Sequence, residues 1–305
     1  NKPYFKGDYN TEVGYMGCRT RVMANVCGPS VTPGRGNLSF TSINLPRLGI
    51  KHGIALGERT KADMEGFYKE LDELMDLVKG QLLQRFECQC SKTRANFKFL
   101  LGSHVWINSE KLDNNSKLRT VLKHGTLSIG FIGLAETLKA LIGEHHGESA
   151  KAQKLGEEII KHMREKCDAY CEEYNLNFTL LATPAEGLSG RFTAIDRSIY
   201  GKIKGVTDRE YYTNSFHVPV YYKTSVAHKL ETEGIYHKYT NAGHISYIEL
   251  DGDTVNNVDA FEQVVRIMHD NDIGYGAINH PVDRDPVCGY AVSYTHLRAH
   301  ETDSY

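Results

Sequence analysis

Apolar residues recur every three or four positions along one long stretch of the chain. Met64, Phe67, Leu71, Leu74, Val78 and Leu82 fall on one stripe of a helix predicted over about Thr60 to Ser91. A second long helix is predicted from about Glu148 to Tyr174, and Val258 to Asp270 has the same period. Between them lie short runs of another kind. Asn37 to Ile43 alternates as a strand does, while Thr126 to Ile132 (TLSIGFI) and Asn177 to Ala182 (NFTLLA) are nearly continuous apolar runs. His244 to Leu250 and Ile273 to Ile278 are the fourth and fifth predicted strands. Strands separated mostly by helices predict an α/β fold with parallel strands. Gly125, Gly130 and Gly133 lack the spacing of a dinucleotide-binding loop and read as packing glycines.

Composition narrows this picture only slightly. With 305 residues, 40% hydrophobic and 24% charged, the chain is long enough for a large core and ordinary for a globular protein. A net charge of -2 gives no global basic field for wrapping nucleic acid. No apolar run approaches the roughly 20 residues of a membrane span. The start, Asn1-Lys2-Pro3-Tyr4, has no signal pattern and looks internal. Seven scattered cysteines without a secretion signal fit a reduced, cytoplasmic setting better than a disulfide framework.

The chemistry concentrates at four places. Cys18 lies in Gly14-Tyr15-Met16-Gly17-Cys18-Arg19-Thr20-Arg21-Val22, where glycine and two arginines are poor neighbours for a buried apolar thiol. Asn37 follows in Gly34-Arg35-Gly36-Asn37-Leu38; its amide carries donors and an acceptor, as vicinal hydroxyls require, although an asparagine after glycine more often satisfies its own backbone. Thr183-Pro184-Ala185-Glu186-Gly187-Leu188 ends a strand and opens a helix, whose free N–H groups attract anions. Many such turns hold nothing, and Glu186 has the wrong charge to touch a phosphate itself. Cys288 stands in Asn279-His280-Pro281-Val282-Asp283-Arg284-Asp285-Pro286-Val287-Cys288-Gly289-Tyr290.

Taken in order, these motifs closely resemble the anaerobic (class III) ribonucleotide reductases over about residues 3 to 290. The resemblance implies the second half of a ten-stranded α/β barrel, with a finger loop at about residues 11–36. It implies that Cys18 becomes a thiyl radical taking the ribose 3'-hydrogen, that Asn37 bonds the ribose, and that Thr183 to Leu188 hold the phosphates. It also implies a glycyl radical, a radical-SAM activating protein, formate as reductant, a homodimer and zinc in the intact family member. Cys288 marks the start of the zinc region at about 279–290, but Asp285 stands where a first cysteine often does. One thiolate cannot make a four-ligand site. Gly289-Tyr290 is similar to a radical glycine's surroundings, yet the segment before it matches the pre-zinc run, so the radical loop is expected to be absent. Residues 291–305 resemble a translated sequencing adapter and are expected to be non-native.

The remaining candidates read as structural. Cys88 and Cys90, and Cys167 and Cys171, have no matching histidine pair, and His145-His146 reads as the C-terminal cap region of a helix. His217 is a candidate for the barrel mouth. A half-barrel alone is expected to leave two strand edges and an apolar inner face open, and to aggregate. The alternatives are a pyruvate formate-lyase type glycyl-radical enzyme, which would have two adjacent cysteines where Cys18 has Gly17 and Arg19 beside it, and a non-catalytic nucleotide-binding scaffold.

Overall fold

The run Thr126 to Ile132 becomes the central strand because neither of its faces meets water. The structure is a computed structural model that describes residues 13–250 and 257–279, with the backbone of 282–284 and 291–293. In chain order the elements are β1 (Tyr15–Met16), β2 (Thr20–Arg21), β3 (Asn37–Asn44), α1 (Leu45–His52), α2 (Met64–Cys90), α3 (Arg119–Leu122), β4 (Thr126–Ile132), α4 (Leu134–Ile142) and α5 (Ala150–Tyr174). There follow β5 (Asn177–Ala182), α6 (Glu186–Tyr200), α7 (Val226–His237), β6 (Ser246–Glu249), α8 (Val258–Asp270), β7 (Gly276–Asn279), β8 (Val282–Arg284) and β9 (Ala291–Ser293).

All five expected strands form, and their neighbours run parallel. They do not make one continuous ladder. Strands β3-β4-β5 form one sheet and β6-β7 another, and the segment between β5 and β6 carries only bridges at Gly243, to Leu181 and to Thr20. The chain turns aside there because β2 occupies the place: Arg21 N donates to Ala242 O at 2.7 Å. Strand β9 falls in the stretch expected to be non-native, and pairs antiparallel with β8.

Each long helix starts on a side-chain cap. Asp63 accepts from Gly66 N ahead of α2, and Ser149 accepts from Ala152 N ahead of α5. Helix α2 buries Phe67, Leu71, Met75, Val78, Leu82 and Phe86, so Met75 takes the fully buried place expected for Leu74. Helix α5 ends at Asn175, whose left-handed backbone (φ 49°) turns the chain into β5. Both helices cover the face of the sheet that presents Leu127, Ile129, Phe131, Phe178 and Leu180. Helix α1 packs on α4 at van der Waals range through Gly49 and Gly53; a Cβ at Gly53 would lie 2.0 Å from Ala140 O. His145 and His146 do not cap a helix: α4 closes on Gly143 (φ 85°), and both histidines sit in the connection to α5.

The other face of the sheet, expected to be apolar for a half-barrel, is mixed, with hydroxyls set among Phe40, Ile132 and Leu181. Thr126, Ser128 and Thr179 line it and are buried. Ser128 Oγ and Thr179 Oγ1 are 2.9 Å apart, and Ser42 Oγ lies 2.7 Å from Thr183 Oγ1. The exposed edge of β3 is partly closed as well, because Arg85 and Gln89 of α2 donate to the carbonyls of Phe40 and Leu38. Gly130 makes the Ser42–Thr183 pair possible. A Cβ there would lie 2.1 Å from Thr183 Oγ1 and 2.7 Å from Ser42 Oγ. Replacing Gly130 with Ala is therefore expected to cost about 1–3 kcal/mol, the usual penalty for overpacking. Urea unfolding of the chain measures it, and an unchanged midpoint would show that the two hydroxyls can part freely.

Candidate active site

A two-strand hairpin carries the first candidate. Tyr15 pairs with Arg21 and Met16 with Thr20, which leaves Gly17-Cys18-Arg19 as the turn. Gly17 takes φ 61°, a conformation that costs glycine nothing. Cys18 is exposed at the tip, whereas Arg19 and Arg21, two apart on one face, are buried. Arg21 Nη1 donates to Tyr15 Oη at 3.0 Å, and the Tyr15 ring stacks on Tyr275 with centroids 4.1 Å apart. Arg19 Nη1 lies 3.5 Å from His217 Nε2, and its guanidinium sits over the Tyr247 ring.

Behind the hairpin the chain is tied to the starts of β4 and β5. Arg35 donates to the carbonyls of Met23, Ala24, Val31 and His124, which wraps residues 23–31 around one guanidinium. Burial pulls its pKa down to about 10. Asn177 completes the tie: its amide donates to Asn25 Oδ1 and accepts from Val26 N.

Asn37 is aimed by a bulge. The pairing slips between Asn37 and Ser39, so Asn37 lies opposite Thr126 and on the hydroxyl face, while Ser39 lies opposite Leu127. Its Nδ2 donates to Ser128 Oγ at 2.9 Å and its Oδ1 accepts from Ser39 N at 3.1 Å. Thus the local backbone bond typical of a loop asparagine and a contact to the sheet face coexist. Asn37 and Thr20, two residues beyond Cys18, line one shallow groove.

At the far end of β5, Thr183 is buried against Ser42. The N–H of Ala185 is not free for a ligand, because it donates to Asn214 Oδ1 at 2.8 Å. Glu186 (φ 23°) and Gly187 are exposed, and a Cβ on Gly187 would meet open space. No side chain caps α6, so its first amides face outward at these two residues. Leu188 turns inward with Ala185 and Tyr212. Helix α6 is fixed by its buried Asp196, which accepts from Asn44, Arg47 and Tyr212. Asn214 also lines a cavity of about 410 Å³ with His217, Lys229, Tyr212, Tyr221 and Tyr247, between the turn and the side chains that Arg19 touches.

The structure thus brings Cys18's hairpin, Asn37 and the 183–188 turn to one side of the sheet. Cys288 and Gly289 lie outside the described residues, and among the described residues no group of three or more His, Cys, Asp or Glu could hold a metal. Cys167 is a buried core thiol, and Cys171 bonds the backbone of Phe178. Sequence reasoning missed Ser42, Ser128, Thr179 and Asn214. The polar alternation Thr126, Ser128, Gly130 within the TLSIGFI run was the available signal.

The sequence model of the family described as anaerobic ribonucleoside-triphosphate reductase matches residues 1–301. The chain belongs to that family. It is 33% identical over 282 residues to the anaerobic ribonucleoside-triphosphate reductase of Escherichia coli (strain K12), covering 90% of this chain and 38% of the relative. Against the enzyme of Enterobacteria phage T4 the identity is 32% over 283 residues, with 91% of this chain and 44% of the relative covered. The chain therefore spans less than half the length of these curated reductases. In fold it is similar to the anaerobic ribonucleotide reductase from Thermotoga maritima solved with MES in the active site (TM-score 0.66, 19% identity, 90% of this chain and 46% of that one). The same enzyme in complex with dATP and CTP gives a TM-score of 0.63 at 19% identity, over 92% of this chain and 46% of that one.

Beneath the hairpin the chain packs buried histidines. His237 Nδ1 accepts from Gly274 N and Nε2 donates to Ser246 Oγ, while the His244 ring lies 4.0 Å from that of His237. Burial pushes His146 and His237 down to about 3 and also lowers His145, His217 and His244. A histidine held neutral in the fold takes up a proton on unfolding once pH is below its unfolded value of about 6.5. Stability is then complete above about pH 6.5 and falls as pH drops toward the folded values. Melting temperatures between pH 7.5 and 5 should decline on that side, before most carboxylates titrate; a flat profile would contradict neutral burial.

Proposed function

We propose that this chain supplies the radical cysteine and the ribose and phosphate contacts of an anaerobic ribonucleoside-triphosphate reductase. The observation that carries the reading is Cys18 at an exposed hairpin tip, with Thr20 beside that tip bordering the groove of Asn37. In this reading β3 to β7 form half of a ten-stranded barrel and the described residues 13–36 belong to its finger loop. The chemistry supplied from outside these residues is removal of one hydrogen atom from the Cys18 thiol by a glycyl radical. The Cys18 thiyl then takes the 3'-hydrogen, breaking C–H and forming S–H. The 2'-hydroxyl leaves as water, a reductant of the formate class is oxidised to carbon dioxide and supplies two electrons and one proton, a second proton comes from solvent, and Cys18 returns its hydrogen to C3'. Sulfur suits this exchange because S–H and C–H bonds are of similar strength. Asn37 Nδ2 and Oδ1 each keep capacity for one further bond, enough to orient a ribose hydroxyl. The outward amides of Glu186 and Gly187 receive the phosphates at the helix start. A radical-SAM activating partner, a homodimeric assembly, a zinc site beyond Cys288 and a cytoplasmic location complete the proposal.

Within a complete reductase of the family, Cys18→Ser is expected to abolish deoxynucleotide formation and to leave the glycyl-radical EPR signal intact. A serine O–H is too strong to give its hydrogen to a carbon radical. Normal turnover by this variant would remove Cys18 from the mechanism.

The phosphate turn is tested at Gly187, where a methyl group clashes with nothing and alanine favours the helix. Gly187→Ala should leave the melt unchanged or slightly raised, yet obstruct the approach of an anion to the amides. KM for the nucleotide is expected to rise about tenfold, equivalent to about 1.4 kcal/mol of binding, with kcat retained. An unchanged KM would place the phosphates elsewhere.

A further inference from the structure

The hairpin tip is held from below by a chain of side chains whose hydrogen-bond directions are forced. Glu233 is fully buried and accepts from Lys229 Nζ at 2.5 Å, from Val218 N at 3.0 Å and from His217 Nδ1 at 3.3 Å. A carboxylate held ionised by Lys229 has no proton to give, so His217 must carry its proton on Nδ1. Nε2 is then a bare acceptor. Arginine can only donate, and Arg19 Nη1 points at that acceptor from 3.5 Å. The order Arg19 to His217 to Glu233, with Lys229 closing the far end, has no alternative that satisfies every partner.

Arg19 needs this support. It is 4% exposed, no carboxylate pairs with it among the described residues, and its Nε has no partner. Its remaining contact is the Tyr247 ring, 5.7 Å from the guanidinium carbon to the centroid. Cys18 immediately precedes Arg19, and a Cβ at Gly17 would touch nothing within 4 Å. The hairpin strands are held at the backbone by Gly243 and Ala242 and through Tyr15 by Tyr275, and within the turn Gly17-Cys18-Arg19 the buried side chain is that of Arg19, so the thiol takes its place from its neighbour.

We propose that His217 and Glu233 are positioning residues: the buried Glu233–Lys229 pair fixes the His217 tautomer, and His217 anchors Arg19 and with it the Cys18 thiol. The proposal rests on the reading of Cys18 as the radical cysteine, and the test separates the two. Two variants are compared, His217→Leu, which removes donor and acceptor, and His217→Gln, whose amide retains one of each. In the complete reductase, amide hydrogen exchange resolved to residues 15–21 is expected to speed up about tenfold in His217→Leu, the scale of one lost hydrogen bond, with strand 126–132 unchanged. His217→Gln should restore protection. In the complete reductase, His217→Leu should lower kcat by about tenfold or more while KM stays within about twofold, and the Gln variant should recover most of kcat.

Wild-type exchange in the hairpin together with wild-type kcat in His217→Leu overturns the positioning role. So does a kcat loss that the Gln variant fails to rescue while the hairpin stays protected. If instead the hairpin loosens as expected but Cys18→Ser turns over normally, the anchoring stands and the radical reading fails. Should His217→Leu not fold, Arg19→Gln asks the same question with the buried pair intact, and unchanged exchange over residues 15–21 in that variant overturns the proposal.

Discussion

Everything near the hairpin depends on one close approach of two backbones. At Gly243 the segment between β5 and β6 passes so near Arg19 that a Cβ would lie 1.9 Å from the Arg19 carbonyl oxygen, and the residue takes φ 136° to do so. The contact joins the hairpin to the sheet through Thr20 and through Ala242. It also ends the ladder between β5 and β6, because backbone groups spent on the hairpin are not available to a neighbouring strand. A continuous five-stranded sheet and a docked hairpin are alternatives at this position. The chain has the second.

The central sheet shows the same economy in its two faces. One face meets α2 and α5 with large apolar side chains, where burial of each contributes about 1.5–3 kcal/mol. The other mixes Phe40, Ile132 and Leu181 with hydroxyls and a glycine, and the hydroxyl bonds contribute little to stability because each replaces one to water. What that second face gains is definition. Ser42 to Thr183, Ser128 to Thr179 and Asn37 to Ser128 are each closed pairs, and none can move without stranding a polar group away from water. The hydroxyl-lined part of that face is thereby stiff.

This division explains which parts of the fold were legible in the sequence. Helices α2 and α5 are long, strongly periodic and capped by Asp63 and Ser149, and their positions could be read to within a few residues. Helix α1 could not: Pro46 and Gly49 lie inside eight residues, and it exists because Gly49 and Gly53 let it press against α4. Helix α4 is only nine residues long, starts one residue after a strand and is buried nearly all round, Glu136 and Thr137 included, so its polar residues do not mark a solvent face. At the site, Cys18 stood out by its odd neighbours, but the reading of its chemistry came from resemblance rather than from residue type. The bulge that turns Asn37 toward Ser128, and the capture of the Ala185 amide by Asn214, depend on contacts between residues 91 and 29 apart in sequence. No local pattern encodes those.

Under the proposed reading, the Cys18 thiol must meet a ligand yet start from one defined place, and these demands are opposed. Exposure and a glycine turn make Cys18 accessible, and the same features remove the packing that would locate it. The chain resolves this by dividing the labour between adjacent residues. Cys18 stays in the open, and Arg19 carries its charge into the interior, where an unpaired guanidinium would cost several kcal/mol. The cost is offset only while the partner below keeps its lone pair turned toward Arg19. Burial favours neutral His217 and so keeps that lone pair available; a protonated His217 would present a second donor and a like charge to Arg19. The position of an exposed sulfur is therefore set by the protonation state of a buried ring, and the buried Glu233–Lys229 pair makes one tautomer of that ring the only one that fits.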